Sequence, residues 1–413
     1  MPFILAPITI VVLGILGFAH AVVYEALITI ISFLLPGLLT WQGILWFRII
    51  FVILTLSFTL MTFISFLSRN IVTKIAYRAA AIWTGLLMYL FFAAMAYGAL
   101  IFVNNTFFER GSVAGFPIHD HTFLFSQIGL ALYIFALIIG VYGVINARNT
   151  IVTRVSVKLA NLPAKWKTKK AVWISDIHLG HVRGVKFLEK TVKKIQELKP
   201  DLVFIGGDLF DGPKIDADAA IVPLRDLCAP TAGLRTPHVV SDGVYFVMGN
   251  HEEFSELNAV RFLNAVKKIP GLRALEDEMV TVDGVDIIGV DHGHVDTAEK
   301  FSKILSRIKT NTEKNATTTG ANGTASRPSI LLKHEPKDLD VAVKAGVSLQ
   351  ISGHTHKGQV WPATWLAWLV FPGYDYGLHE RGAMQVYTSS GVGTWGPPLR
   401  VGTKSEIVLF EFE

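Results

Sequence analysis

Three runs of this 413-residue chain contain no charged side chain: Ile49–Leu67, Ala79–Val103 and Phe123–Ala147. About 20 helical residues cross ~30 Å of hydrocarbon, so each run is long enough to span a bilayer. Inside lipid a backbone must satisfy its own hydrogen bonds, which leaves helices as the structure open to runs of this length. A fourth apolar stretch, Met1–Leu39, is interrupted by Pro7, His20, Glu25 and Pro36, and reads as one long tilted span or two short ones. The expectation is an α-helical transmembrane domain over residues 1–147 with four or five spans.

Charge follows the same division. Residues 1–147 hold five Lys/Arg and three acids, leaving 33 basic and 30 acidic side chains in 148–413. Short cytoplasmic loops carry the excess of Lys and Arg. Loop 68–78 has Arg69, Lys74 and Arg78 and no acid, whereas loop 104–122 has one Arg against two acids. The first reads as cytoplasmic and the second as outward, with the outward triplet His119-Asp120-His121 a solvated loop. Residues 148–170 add seven basic side chains and no acid, and read as a cytoplasmic basic linker. Such a patch is a topology signal or a contact for anionic head groups. Without it, residues 171–413 hold 26 basic and 30 acidic side chains, which excludes a nucleic-acid footprint. A single cysteine, Cys228, excludes an internal disulfide framework. His20 and Glu25 stand roughly 140° apart round a helix, so they share no face; Glu25 reads as a partner in an interhelical or interfacial hydrogen bond.

From Ala171 the pattern becomes short apolar strands alternating with amphipathic helices. Ala171–Ile174 reads as a strand, Val185, Leu188, Val192 and Ile195 line one helix face, and Asp201–Ile205 opens the next strand. Further strands are expected at Val244–Met248, Asp286–Val290, Ile330–Lys333, Leu349–Ser352, Gln385–Thr388 and Glu406–Phe410. Residues 309–327 are polar and of low complexity and read as a disordered loop.

Just after those strands stand SDIHLG (175–180), GGDLFDG (206–212), GNHEE (249–253), KHEP (333–336) and SGHTHKG (352–358). Open α/β sheets bind ligands at such carboxyl ends of strands. The side chains gathered there are Asp176, His178, Asp208, Asn250, His334, His354 and His356. One Asp or His after a strand is ordinarily a cap or turn former, but five such blocks in one domain are not. Carboxylate, amide and imidazole donors together suit divalent ions such as Mn²⁺, Fe²⁺ or Zn²⁺, with Mn²⁺ the foremost expectation. Seven ligands are too many for one ion and about right for two. Paired ions a few ångströms apart clamp the oxygens of an in-line phosphoryl displacement. Asp208 is the natural bridging carboxylate, and His251 beside Asn250 can protonate a leaving alkoxide or hold phosphoryl oxygens.

These blocks, in this order, resemble the calcineurin-like metallophosphoesterases over about residues 165–413. The resemblance implies a four-layered αββα sandwich. It implies that Asp176, His178 and His356 hold one metal, that Asn250, His334 and His354 hold the second, and that His251 is the catalytic acid. GHTHKGQVWP (353–362), YDYGLHERG (374–382) and SSGVGTWGPPLR (389–400) are similar to a membrane-anchored branch in which helical spans precede the catalytic unit. That branch is distantly similar to hydrolases of UDP-2,3-diacylglucosamine.

One further segment bears on substrate. VWPATWLAWLVFPGY (360–374) follows the last block and includes Trp361 and Trp365. Trp favours bilayer interfaces, so the segment is a lipid contact or, equally, a buried packing loop. Lys357 and Arg400 are candidates to neutralise substrate phosphate, or else members of salt bridges. The resulting expectation is a phosphohydrolase in the cell (inner) membrane with its catalytic domain cytoplasmic, cleaving a phosphomonoester or phosphodiester of a lipid or lipid-linked molecule. Two rivals stand beside it: a tethered phosphodiesterase acting on a soluble nucleotide-type substrate, and a metal-stabilised sensor or scaffold without catalysis.

Overall fold

The computed structural model describes residues 2–68, 70–108, 122–212, 215–228, 240–254, 256–318 and 327–413. They fall into two units, Met1–Ile145 with Gly396–Val401, and Asn146–Trp395 with Gly402–Glu413.

The first unit has four helices, α1 (Pro2–Leu34), α2 (Trp41–Leu67), α3 (Ile71–Val103) and α4 (Thr122–Asn146). All four are long and apolar enough to cross a membrane. Residues 2–34 form one continuous helix, so a fifth span is absent among the described residues. Side-chain caps start two of the helices: Thr40 accepts from Gly43 N at 3.1 Å and Asn70 from Thr73 N at 2.8 Å. His20 is buried, with Nδ1 on Leu16 O at 2.8 Å and Nε2 accepting from Trp83 Nε1 at 2.9 Å, so it is an interhelical link. Glu25 is exposed. Segment Gly396–Val401 meets α3 and α4 at glycines. A Cβ on Gly85 would stand 2.6 Å from Leu399 Cδ1, and one on Gly143 2.8 Å from Val401 Cγ2. The triplet His119-Asp120-His121 lies outside the described residues.

The second unit runs β1 (Thr150–Val157), β2 (Lys170–Ile174), α5 (Val185–Leu198), β3 (Leu202–Gly206), α6 (Ala217–Ala220), β4 (Val244–Val247), α7 (Glu256–Lys267) and β5 (Leu272–Ala274). It continues with β6 (Glu278–Val282), β7 (Val285–Val290), α8 (Ala298–Thr318), β8 (Ser329–Lys333), α9 (Leu339–Lys344) and β9 (Leu349–Ser352). It ends with α10 (Ala363–Val370), β10 (Gly377–Arg381), β11 (Met384–Thr388) and β12 (Ser405–Phe412). Two six-stranded mixed sheets result, ordered β1-β12-β2-β3-β4-β5 and β10-β11-β9-β8-β7-β6.

Three cores define the layers. Leu188, Val192 and Ile195 of α5 and Phe262 and Val266 of α7 cover one sheet. Trp173, Phe204 and Phe410 face Ile287, Ile330 and Ile351 between the sheets. Phe301 and Leu305 of α8 with Ala342 of α9 cover the other sheet. The order is helix, sheet, sheet, helix, the expected αββα sandwich.

Two sequence expectations are corrected. Residues 148–170 are not a free linker: β1 lies parallel to β12 in register Thr150↔Ser405. Four of the seven cations face acids of the same domain, Arg154 on Glu411 at 3.0 Å, Lys158 on Glu413 at 4.0 Å, Lys165 on Asp283 at 3.1 Å, and Lys169 on Asp242 and Asp283. Residues 309–318 are not a loop either, because they continue α8, anchored through Phe301, Leu305 and Ile308. A helix already nucleated adds residues at small cost, which polar composition alone does not reveal. Residues 319–326 of that stretch lie outside the described residues. Strands β5, β6 and β10 escape the sequence reading because they are short or only partly buried and carry no apolar run.

Candidate metal centre

Asp176 and His178 follow β2, Asp208 follows β3, Asn250 follows β4, His334 follows β8, and His354 and His356 follow β9. The fold brings all seven together. His178 Nε2 and His356 Nε2 face each other at 3.1 Å, and His356 Nε2 lies 3.6 Å from Asp176 Oδ1. A second group forms around His334 Nε2, which is 3.2 Å from Asp208 Oδ2, 3.1 Å from Asn250 Oδ1 and 3.3 Å from His354 Nδ1. Asp208 Oδ2 is also 3.8 Å from His178 Nε2, so this one carboxylate reaches both groups.

The donor arrangement fits cations. His334 Nδ1 donates to Gly206 O at 2.7 Å, so in the neutral ring Nε2 directs its lone pair at the oxygens of Asp208 and Asn250. His354 Nδ1 likewise meets Asn250 Oδ1 at 2.9 Å. Acceptors that face acceptors need a proton or a metal ion between them. Asp176, His178 and His356 form one set able to hold an ion, and Asp208, His334 and His354 another. Oxygen and nitrogen donors without thiolate suit divalent ions of intermediate hardness.

The backbone that aims these donors is strained. Asp176, His178, Asp208, His354 and His356 all lie in the left-handed region, with φ from 49° to 70°. Each such residue costs about 1–2 kcal/mol, and strain of this kind gathers at functional sites. Gly207 turns at φ 85°, where a Cβ would stand 2.6 Å from Gly249 N, so the turns after β3 and β4 nest on bare backbone.

Charges inside the cluster oppose burial. Burial favours a protonated Asp208, but His334, His178 and His251 outweigh it and hold the carboxyl well below its usual range. Burial also disfavours the His334 imidazolium, yet Asp208 and then Asp176 raise it to about 10. Burial, with the His334 charge, pushes His354 down to about 3. The second group therefore carries one proton, on His334, where a divalent ion would replace it.

His251 stands edge-on to His178, ring centroids 4.6 Å apart, and its backbone N–H donates to Asp208 Oδ1 at 2.9 Å. Its Nδ1 lies 3.3 Å from Asp211 Oδ1. Burial lowers the imidazolium, but the bond to Asp211 and the nearby carboxylates prevail and lift it to about 9.

Sequence reasoning missed three residues here. Asp211 is the second Asp of GGDLFDG, and its signal is that doublet. Glu252, fully buried, accepts from the backbone N–H groups of Asp208 and Gly249 at 2.8 Å and of Phe210 at 2.9 Å. It ties the β3 and β4 turns together, and its signal is GNHEE. His292 sets its ring 6.0 Å from His334 and 6.1 Å from His354, and its signal is DHGH (291–294) directly after the strand that ends at Val290.

The substrate candidates divide. Lys357, next to His356, places Nζ 4.0 Å above the Tyr376 ring, and Tyr376 donates to Glu406 at 3.1 Å. Trp361 and Trp365 form an exposed edge-to-face pair at 5.6 Å. Arg400 is corrected: it is fully buried, belongs to the helical unit, and its backbone N–H donates to Gly143 O at 2.9 Å. A guanidinium without exposed surface does not meet substrate phosphate.

The sequence pattern of the calcineurin-like phosphoesterases matches residues 169–358. An uncharacterized metallophosphoesterase of Campylobacter jejuni is 33% identical over 264 residues, 63% of each chain. A transmembrane protein with metallophosphoesterase domain from Danio rerio is 31% identical over 304 residues, 68% of this chain and 62% of that protein. The chain thus spans about three-fifths of the length of these relatives. Among solved structures, the 5′-nucleotidase precursor from Thermus thermophilus is similar at 17% identity with a TM-score of 0.30, over 58% of this chain and 54% of that one. The matched residues include every strand-end block of the centre, so residues 169–358 form a calcineurin-like phosphoesterase domain.

Proposed function

We propose that this chain is a metal-dependent phosphoester hydrolase working with two divalent ions, most simply Mn²⁺, at the centre around Asp208. The observation that carries the reading is the reach of Asp208 Oδ2 to both His178 and His334, 3.8 and 3.2 Å away. Asp176, His178 and His356 would hold one ion and Asn250, His334 and His354 the other, with Asp208 within reach of both sets. Bound divalent ions stabilise charge on phosphoryl oxygens and acidify water. The rest falls to side chains. His251, kept protonated by Asp211, gives its proton to the leaving alkoxide. Glu252 keeps the two turns from drifting apart. Lys357, resting on Tyr376, offers a cation beside His356 for the substrate phosphate.

The proposed substrate is a lipid or lipid-linked phosphoester taken from the cytoplasmic leaflet of the cell (inner) membrane. Four helices fit to cross a membrane, and an exposed Trp-rich stretch that follows the last ligands, support that choice. The test incubates full-length protein in mild detergent with Mn²⁺ and a total bacterial membrane lipid extract, with products followed by mass spectrometry against Asn250→Ala. Metal-dependent loss of one phosphoester lipid supports the reading. Turnover of a chromogenic phosphodiester with no lipid consumed moves it to a soluble substrate.

A further inference from the structure

Helix α10 has no place in any core of the second unit. From Val360 to Tyr374 there is no charged residue, and within α10 only Ala367 is buried. Trp365, Leu366, Trp368, Leu369 and Val370 are 57–67% exposed. At 100° per residue these five side chains spread over roughly 200° of the helix. A flat partner surface covers a single stripe of a helix, whereas a medium that surrounds it covers an arc this wide.

The chain brings such a medium close. α4, long and apolar enough to cross a membrane, ends at Asn146, and β1 begins at Thr150. The intervening residues reach at most ~14 Å. The chain returns to the helical unit at Gly396–Val401, so the second unit is tied to it at more than one point in sequence. Two exposed Trp side chains among aliphatics, without Lys or Glu, match the composition of an interfacial segment.

We propose that α10 inserts into the bilayer interface and docks the catalytic domain on lipid. The position of its end gives the insertion a purpose, and this part rests on the lipid reading above. Phe371, the residue after α10, sets its ring 6.0 Å from that of His354. Val370, Phe371 and Pro372 then line a cavity of about 740 Å³ with Glu335, Lys337 and Tyr374. A lipid leaving the bilayer along α10 meets this cavity and the metal centre together.

The test places a bimane-labelled cysteine at Leu369 (Leu369→Cys) in the full chain. Cys228 is buried and stays in place. The labelled protein is reconstituted in phosphatidylethanolamine–phosphatidylglycerol vesicles carrying a nitroxide lipid near the head group, with Lys303→Cys on α8 as the comparison. The expected result is quenching of the Leu369 label by nitroxide lipid and not by aqueous iodide, with the reverse at Lys303. Iodide quenching at both positions overturns the proposal. So does protection of the Leu369 label from both quenchers, which marks a protein partner or a second copy. Retained turnover of a chromogenic phosphoester shows that each labelled chain is folded. A Leu366→Asp/Leu369→Asp variant separates docking from substrate. It should raise KM for a vesicle-borne lipid phosphoester about tenfold and leave the chromogenic ester unchanged. A quenched label with equal effects on both substrates keeps the docking and sinks the lipid substrate.

Discussion

Asp211 Oδ1 lies 3.3 Å from Nδ1 of His251 and keeps that imidazole charged up to about pH 9. The pair places a proton donor beside the metal centre with its other nitrogen, Nε2, uncommitted to Asp211. Replacing Asp211 with Asn removes the charge that outweighs burial, so the His251 pKa falls. Activity that needs the imidazolium should then decline at lower pH than in the parent. Loss of a general acid costs about 10²–10⁴-fold, and the cost should appear with alkyl phosphoesters and largely vanish with p-nitrophenyl esters, whose leaving group needs no proton. Equal losses on both substrates would assign Asp211 a purely structural role.

Glu252 accepts three backbone N–H groups from two turns with two oxygens. Gln in its place has one acceptor oxygen and turns an amide N–H toward a backbone N–H. Stability should fall by about 1–3 kcal/mol, and metal affinity by roughly 10–100-fold. Thermal unfolding and metal content after dialysis measure the two effects separately.

Asp208→Ala removes the one carboxylate shared by both donor groups. Turnover should fall by at least roughly a hundredfold, with bound metal below two ions per chain and membrane insertion of the helices unchanged. Hydrolysis at the parent rate would make the two-metal assignment wrong.

Metal binding should depend on pH in a fixed direction. His334 holds its proton up to about 10 in the metal-free centre, and a cation must displace it. Apparent affinity for Mn²⁺ should therefore rise from pH 6 to pH 9, with proton release on binding. Calorimetry in buffers of different ionisation enthalpy reads that release directly, and a chelator should abolish turnover until metal is returned.

His20→Ala tests whether the helical unit can be weakened alone. The change removes the Trp83 Nε1 bond of 2.9 Å between α1 and α3, worth about 1 kcal/mol. Melting in detergent should drop, and hydrolysis of a chromogenic ester should stay at the parent rate.

The sequence by itself determined three of the apolar helices, because uncharged runs of such length have few other structures open to them; that residues 2–34 make one helix and not two was decided by the structure. The sequence picked out the seven candidate donors as well, since Asp176, His178, Asp208, Asn250, His334, His354 and His356 each follow a readable strand, all but His334 in a Gly-containing turn. Strands with buried runs, such as Leu349–Ser352, were legible to the residue, whereas the half-buried β6 and the mostly exposed β10 were not. Only the tertiary structure decided the rest. Thr150–Val157 of the basic stretch became a strand because β12, about 250 residues later in the chain, offers it an edge to pair with. Arg400, a candidate for the site by its charge, is held in the helical unit instead. Asp211 and Glu252 acquired their parts from contacts across turns, 3.3 Å to one imidazole and 2.8 Å to two backbone amides. Local pattern records which face of an element is apolar; it does not record which loops meet, and that meeting makes a hydrogen bond or a metal centre.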